Sequence, residues 1–161
     1  TLNLSYCNMR LDMFPNDFGS FMSSLKHLSL EGNNFGNVAA GNSVLPLSNL
    51  ISLNSLSLFH CCLRDGSFPD DLSSLSSLEH LNLCGNHFIT HLPATCLSNV
   101  SAPILIWLSD CPYLQSLPEL PPNLQRLDAT DSVFQVGLAH LQLNVLSSYT
   151  RFNPSKHFWL S

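Results

Sequence analysis

The chain has 161 residues, of which 45% are hydrophobic and 11% are charged, and its formal net charge is −5. This length suits one domain with a continuous hydrophobic core. The six lysines and arginines are scattered and form no basic patch, which argues against nucleic acid or an anionic membrane as the main partner. No apolar run is long enough to span a bilayer.

A short phrase of the form LxxLxLxxNxL recurs along the chain. In its clearest copy the apolar residues are Leu78, Leu81, Leu83 and Phe88, and Asn86 precedes the last of them. Residues two apart in a strand point to the same side, so Leu81 and Leu83 are predicted to face a core. An amide such as that of Asn86 can hydrogen-bond to the backbone of a neighbouring turn. In chain order, the copies begin at Thr1, Leu25, Leu53, Leu78, Pro103 and Leu124.

The residue at the turn position of each copy sets the period. Successive turn residues are 26, 28, 25, 25 and 21 positions apart, a range typical of leucine-rich repeats. The second half of most copies places an apolar residue before a proline, as in Phe68-Pro69, which favours extended or short 3₁₀ segments over long helices. We therefore predict an α/β-type solenoid, a leucine-rich-repeat horseshoe with about six short parallel strands on its concave face and a mostly irregular or 3₁₀ outer wall. The turn residues are Cys7, Asn33, Cys61, Asn86, Cys111 and Ser132.

The predicted array covers residues 1–134, and residues 135–161 do not match the repeat. Thr1 lies inside a predicted strand with no polar cap before it, so the array is expected to be open at its N-terminus and the chain to be a fragment of a longer protein. In the divergent tail, Leu138, Leu141 and Val145 have helical spacing. A capping helix and a disordered segment remain the two alternatives for this tail.

The sequence predicts no catalytic, cofactor or metal site. The six cysteines include no CxxC pair, and adjacent Cys61 and Cys62 have poor spacing for zinc. Cysteines at the turn position are interpreted as buried thiols, which act as small hydrophobic side chains with a weak donor. His27 and His80 share a repeat position and are interpreted as solvated strand residues, the alternative being a pH-sensitive or metal-binding patch. No nucleophile motif or phosphate-binding loop is present, so we expect a protein that is not an enzyme.

The exposed face of the predicted sheet is the candidate site for a protein partner. Aromatic side chains such as Tyr6, Phe59 and Trp107 are typical anchors in protein interfaces. The carboxylates of the last copies, including Asp110 and Asp128, favour a basic patch on the partner. The predicted partner-binding residues are Tyr6, His27, Ser29, Glu31, Ser57, Phe59, His60, His80, Asn82, Cys84, Trp107, Ser109, Asp110, Arg126, Asp128, Thr130 and Asp131.

The segment from Cys111 to Ser132, CPYLQSLPELPPNLQRLDATDS, resembles the closing repeats of plant intracellular immune receptors that carry a TIR, a nucleotide-binding and a leucine-rich-repeat region. Ser132 stands where that family usually has cysteine. The earlier phrases LNLSYCNM and LSLEGNNF are similar to other repeats of the family, so the resemblance extends from Thr1 to Phe134. The matching residues of the closing phrase are Cys111, Leu114, Ser116, Leu117, Pro118, Leu120, Pro121, Leu124, Leu127 and Ala129.

This resemblance implies a protein-recognition module for plant defence signalling, located in the cytoplasm or the nucleus. Its expected partner is a pathogen effector, a guarded host protein or the nucleotide-binding region of the parent receptor, which the array restrains. It carries over no NAD-cleaving or nucleotide-binding activity, because the regions that perform them are not in this sequence.

Two alternative functions remain open at this stage. One is the ectodomain of a secreted or membrane-anchored leucine-rich-repeat receptor, for which the glycosylation sequons at Asn3 and Asn99 are compatible. Such receptors usually carry GxIP after the turn asparagine, whereas NFGNV follows Asn33 and HFITHLP follows Asn86 here. The other is the substrate-recruiting arm of a ubiquitin ligase, which an upstream F-box would distinguish.

Overall fold

A computed structural model describes residues 1–15, 17–36, 44–70, 72–94, 96–97 and 100–132. Within these residues six short strands form one sheet in the order β1 to β6, and every neighbouring pair is parallel. The predicted parallel solenoid of about six strands is thereby confirmed. The predicted tail, residues 135–161, lies outside the described residues. The strands are β1 (Leu2–Asn3), β2 (His27–Ser29), β3 (Ser55–Ser57), β4 (His80–Asn82), β5 (Ile104–Trp107) and β6 (Leu124–Asp128).

One column of hydrophobic side chains runs through the middle of the sheet. Leu28, Leu56, Leu81, Ile106 and Leu127 are register partners in successive strands, and each is at most 2% exposed. They point inward because the strand period of two directs every second side chain to the same side. A second buried column follows two residues later, formed by Leu30, Leu58, Leu83 and Leu108.

The outer wall contains little regular structure. Its described helices are one 3₁₀ turn at Leu11–Met13 and one α-helical turn, α1, at Phe18–Phe21. This agrees with the predicted irregular or 3₁₀ wall. None of the helices in the described part of the chain is long and apolar enough to cross a membrane.

The turn residues of successive coils form a continuous hydrogen-bonded ladder. The side chain of Asn86 is completely buried, donates to the carbonyl oxygens of Leu58 and Leu83, and accepts from the backbone N–H groups of Cys61 and Leu63. Because a buried backbone group without a partner is costly, this amide holds two coils together. The expectation that the turn asparagine bonds to a neighbouring turn is confirmed.

Cysteine and serine continue the ladder where asparagine is absent. The Cys61 thiol lies 3.1 Å from the carbonyl oxygen of Leu30, and the Cys111 thiol lies 3.5 Å from that of Leu83. Burial raises the pKa of Cys61 to about 12 and that of Cys111 to about 11, so both thiols keep the proton that they donate. In the last described coil, the Ser132 hydroxyl donates to the Leu108 carbonyl oxygen at 2.6 Å.

Two positions of the repeat differ from the expectation. Cys7 is exposed because its coil belongs to the edge strand β1, so it is not a buried thiol. Phe88 ends the apolar phrase in sequence but is 48% exposed, and Ile89 occupies the core in its place. The Arg64 guanidinium lies over the Phe88 ring at 4.7 Å from its centroid, which covers part of this exposed aromatic side chain.

Candidate interaction face

The exposed side of the six-stranded sheet, called the sheet face below, carries all seventeen residues that the sequence predicts as partner-binding. Their role in binding stays a prediction. The strand register aligns two columns of side chains on this face, and backbone hydrogen bonds between coils extend the alignment to two more. In chain order the columns are His27, Ser55, His80, Leu105 and Arg126; Asn3, Ser29, Ser57, Asn82, Trp107 and Asp128; Ser5, Glu31, Phe59, Cys84, Ser109 and Thr130; and Tyr6, Gly32, His60, Gly85, Asp110 and Asp131.

A depression of about 380 Å³ occupies the middle of the sheet face. It crosses the coils of β2, β3, β4 and β5, so no single repeat forms it. Seven of the nine residues that line it are predicted from the sequence as partner-binding residues. The complete lining is Glu31, Ser55, Leu56, Ser57, Phe59, His80, Asn82, Cys84 and Trp107.

Trp107 forms one end of this depression. Its ring stacks on the imidazole of His80 in the neighbouring strand, with centroids 5.9 Å apart and planes inclined by 18°. Trp107 pairs in register with Asn82, two positions after the pair of His80 with Leu105, so the two rings meet diagonally across β4 and β5. The indole is half-buried and therefore keeps part of its surface available to a partner.

Glu31 forms the opposite end of the depression. The Ser57 hydroxyl donates to its Oε1 at 2.7 Å, which fixes the carboxylate against β3. Among the described residues its Oε2 atom has no hydrogen-bond partner. Phe59 follows on the adjacent coil, and its ring meets the His60 imidazole edge-on at a centroid distance of 4.2 Å. The Glu31 carboxylate, with one oxygen that accepts no hydrogen bond from a described residue, thus lies beside the Phe59 ring.

Asp128 is the acidic residue of the second column and is held by three neighbours. Ser109 and Thr130 donate to its Oδ1 at 2.9 and 2.8 Å, and Arg126 lies 4.0 Å from its Oδ2. Partial burial acts to raise the pKa of Asp128, but the hydrogen bonds from Thr130 and Ser109 outweigh it and lower the pKa below the usual value. The group therefore stays negatively charged beside the aromatic end of the depression.

The fourth column has left-handed backbone geometry at every coil, which sequence analysis missed. Tyr6, His60, Asp110 and Asp131 have φ between 51° and 60°, and Gly32 and Gly85 have φ of 65° and 72°. A Cβ atom on either glycine would lie 2.3 and 2.6 Å, respectively, from the ring of the preceding coil's Tyr6 or His60. The two glycines therefore relieve backbone strain and also let the neighbouring aromatic rings lie flat over the turn.

Two histidine side chains and a carboxylate cluster beside the fourth column. His87 Nε2 is 3.0 Å from Asp110 Oδ2, and the His60 and His87 rings meet edge-on at 5.6 Å. No group of three histidine, cysteine or acidic side chains in the described residues is arranged to hold a metal ion. No disulfide joins the six cysteines, all of which lie in the described part of the chain.

One residue of the sheet face was missed for an identifiable reason. Leu105 is the register partner of His80 and Arg126 and is half-buried on the exposed side. The run ILIW in β5 shows no polar alternation, so its hydrophobic residues gave no sign of which side each faces. Alignment of Trp107 with Asn82 is the signal that places Leu105 opposite His80.

Comparison with known proteins agrees with this architecture. A family model described as Leucine Rich Repeat matches residues 77–99. TMV resistance protein N of Nicotiana glutinosa is 45% identical over 78 residues, which are 48% of this chain and 7% of that protein.

Two proteins of Arabidopsis thaliana are similar over more of the chain. Disease resistance-like protein DSC1 is 37% identical over 112 residues, covering 67% of this chain and 8% of that protein. Disease resistance protein RPS4B is 34% identical over 117 residues, covering 70% of this chain and 10% of that protein. The chain thus spans a tenth or less of the length of these relatives.

Proposed function

Because this chain is a leucine-rich-repeat array similar to segments of plant disease resistance proteins, we propose that it recognises a protein partner in plant innate immunity. The partner is a pathogen effector, a guarded host protein or the nucleotide-binding region of the parent receptor, which the array restrains until the effector arrives. Recognition takes place in the cytoplasm or the nucleus. The role is one of binding, and no catalytic step is assigned to the array.

The observation that supports this proposal is the difference between the inward and outward positions of each strand. The inward column is leucine or isoleucine from β2 to β6, while the flanking outward positions change from coil to coil. Outward residues can therefore be exchanged, and specificity altered, without loss of the core. A sheet fixed by the turn ladder also loses little conformational entropy when a partner binds.

Trp107 is the residue proposed as the main anchor. It is half-buried at the end of the depression, and its stacking on His80 holds the indole in one orientation before a partner arrives. A tryptophan that becomes fully desolvated at an interface commonly contributes about 2 kcal/mol or more, which corresponds to roughly thirtyfold in affinity.

The test is made in the full-length parent receptor. Trp107→Ala is expected to weaken co-precipitation of the partner about thirtyfold, or to release autoactivation, while the thermal melt stays close to that of the parent. Glu119→Gln is the matched control on the outer wall, since Glu119 is exposed and its side chain makes no hydrogen bond or ion pair with a described residue. If Trp107→Ala changes neither quantity and Glu119→Gln changes both, the recognition surface is on the other side of the array.

A further inference from the structure

We propose that the depression on the sheet face binds an arginine side chain of the partner protein. The guanidinium enters between Glu31 and Phe59, and an apolar side chain four residues away along the partner packs against Trp107. This inference rests on the proposed function, because it assigns an occupant to the same face.

Charge is the first reason for this assignment. Glu31 is the only formally charged residue among the described residues that line the depression. Its Oε1 is fixed by Ser57 while its Oε2 has no partner among the described residues. An anionic ligand would meet this carboxylate with no lysine or arginine in the lining to offset it. A cation instead completes the hydrogen bonding of Glu31.

Three further carboxylates lie beyond the depression on the same face, at Asp110, Asp128 and Asp131. The cation of the neighbouring column, Arg126, lies 4.0 Å from Asp128 and so is partly offset by it. The field over the depression is therefore negative, in keeping with the net charge of −5.

The shape of the charged end favours arginine over lysine. A guanidinium is planar, so it can lie against the Phe59 ring while its N–H groups point to the Glu31 carboxylate. A lysine ammonium is compact and strongly hydrated, and it gains less from an aromatic wall. The Ser57 hydroxyl bond to Glu31 turns the carboxylate into a fixed acceptor, which matches the directional donors of arginine.

The length of the depression determines how far the partner's hydrophobic side chain lies from its arginine. Glu31 lies on the coil of β2 and Trp107 lies on β5, three strand spacings or roughly 14 Å away. An extended peptide advances about 3.3 Å per residue, so side chains at positions i and i+4 point the same way roughly 13 Å apart. The occupant is thus an extended segment with arginine at one position and a hydrophobic residue four positions along.

The experiment uses the full chain with Trp159→Phe, which leaves Trp107 as the single tryptophan of the two in the sequence. The probes are acetyl-Arg-Gly-Ser-Gly-Leu-amide and the same peptide with citrulline, which has the shape of arginine without its charge. Binding is followed through the Trp107 indole N–H resonance during NMR titration at millimolar peptide. The arginine peptide is expected to shift this resonance and to bind about tenfold more tightly than the citrulline peptide.

Two glutamate variants locate the effect. Glu31→Gln keeps the side-chain shape and is expected to bind both peptides equally, whereas Glu119→Gln removes the same charge from the outer wall and keeps the tenfold preference. Phe59→Leu leaves the carboxylate and removes the aromatic ring, and it is titrated with the arginine peptide and with acetyl-Lys-Gly-Ser-Gly-Leu-amide. The affinity for the arginine peptide should then approach that for the lysine peptide. Phe59→Leu therefore tests the site even if Glu31→Gln perturbs the fold.

Equal binding of the arginine and citrulline peptides to the unmodified chain overturns the proposal. So does an equal loss in Glu31→Gln and Glu119→Gln, which would mean that only net charge matters. If neither peptide binds but Trp107→Ala still weakens partner binding by the full-length receptor, the proposed occupant is wrong and the proposed function stands. If Trp107→Ala has no effect either, both are wrong.

Discussion

The buried and exposed sides of each strand obey different constraints although their residues are neighbours in sequence. In β4, Leu81 is fully buried, while His80 and Asn82 on either side of it are half-buried on the sheet face. The buried position is occupied by leucine or isoleucine in five successive strands. The exposed positions hold charged, aromatic, amide and hydroxyl side chains and, at Leu105, an aliphatic one. Packing therefore fixes one side, and the other side is left to recognition.

The largest expected effect comes from breaking the buried side. Leu81→Ala removes a fully buried side chain and leaves a cavity between neighbouring coils, so the free energy of unfolding should fall by about 2–5 kcal/mol. Denaturant titration measures this change. His80→Ala in the same strand loses only the stack on Trp107 and should cost no more than about 1 kcal/mol. A loss below about half a kcal/mol for Leu81→Ala would contradict its place in the core.

A smaller effect is expected in the fourth column of the sheet face. Gly85→Ala should cost about 1–2 kcal/mol, because alanine at φ of +72° is strained and its Cβ displaces the His60 ring. Gly66→Ala is the control, since Gly66 has a φ of +81° but nothing lies within 4 Å of the added Cβ. The difference between the two melts measures the displacement of the ring alone. Equal losses would show that His60 moves aside without cost.

The smallest effect concerns Asp128 and pH. Its pKa is lowered in the folded chain, so the ionised form stabilises the fold above the unfolded value of about 3.9, and this stabilisation is lost as the pH falls through the folded pKa. Thermal melts between pH 7 and pH 3 should therefore show a shallower decline for Asp128→Asn than for the parent. An identical decline in both would mean that the bonds from Ser109 and Thr130 do not favour the charged form.

Local sequence patterns predict much of the fold. The spacing of two between inward residues, as in Leu81 and Leu83, and the turn residue three positions after the second of them depend only on strand geometry. The repeat register also places Cys111 and Ser132 at the turn position of Asn86, and in the structure each donates a hydrogen bond from there. These features predicted the strand number, the parallel order and the side of the sheet that is exposed.

What the sequence by itself determined is thus the alternation of each coil, since that alternation is a property of the strand backbone. Only the tertiary structure decided which residues of different coils meet, because coils of unequal length are brought into register by packing. Three features arise in this way: the stack of Trp107 on His80, the placement of the Glu31 carboxylate beside Phe59, and the exposure of Leu105. Each depends on the neighbour supplied by the next coil, about 25 residues away along the chain.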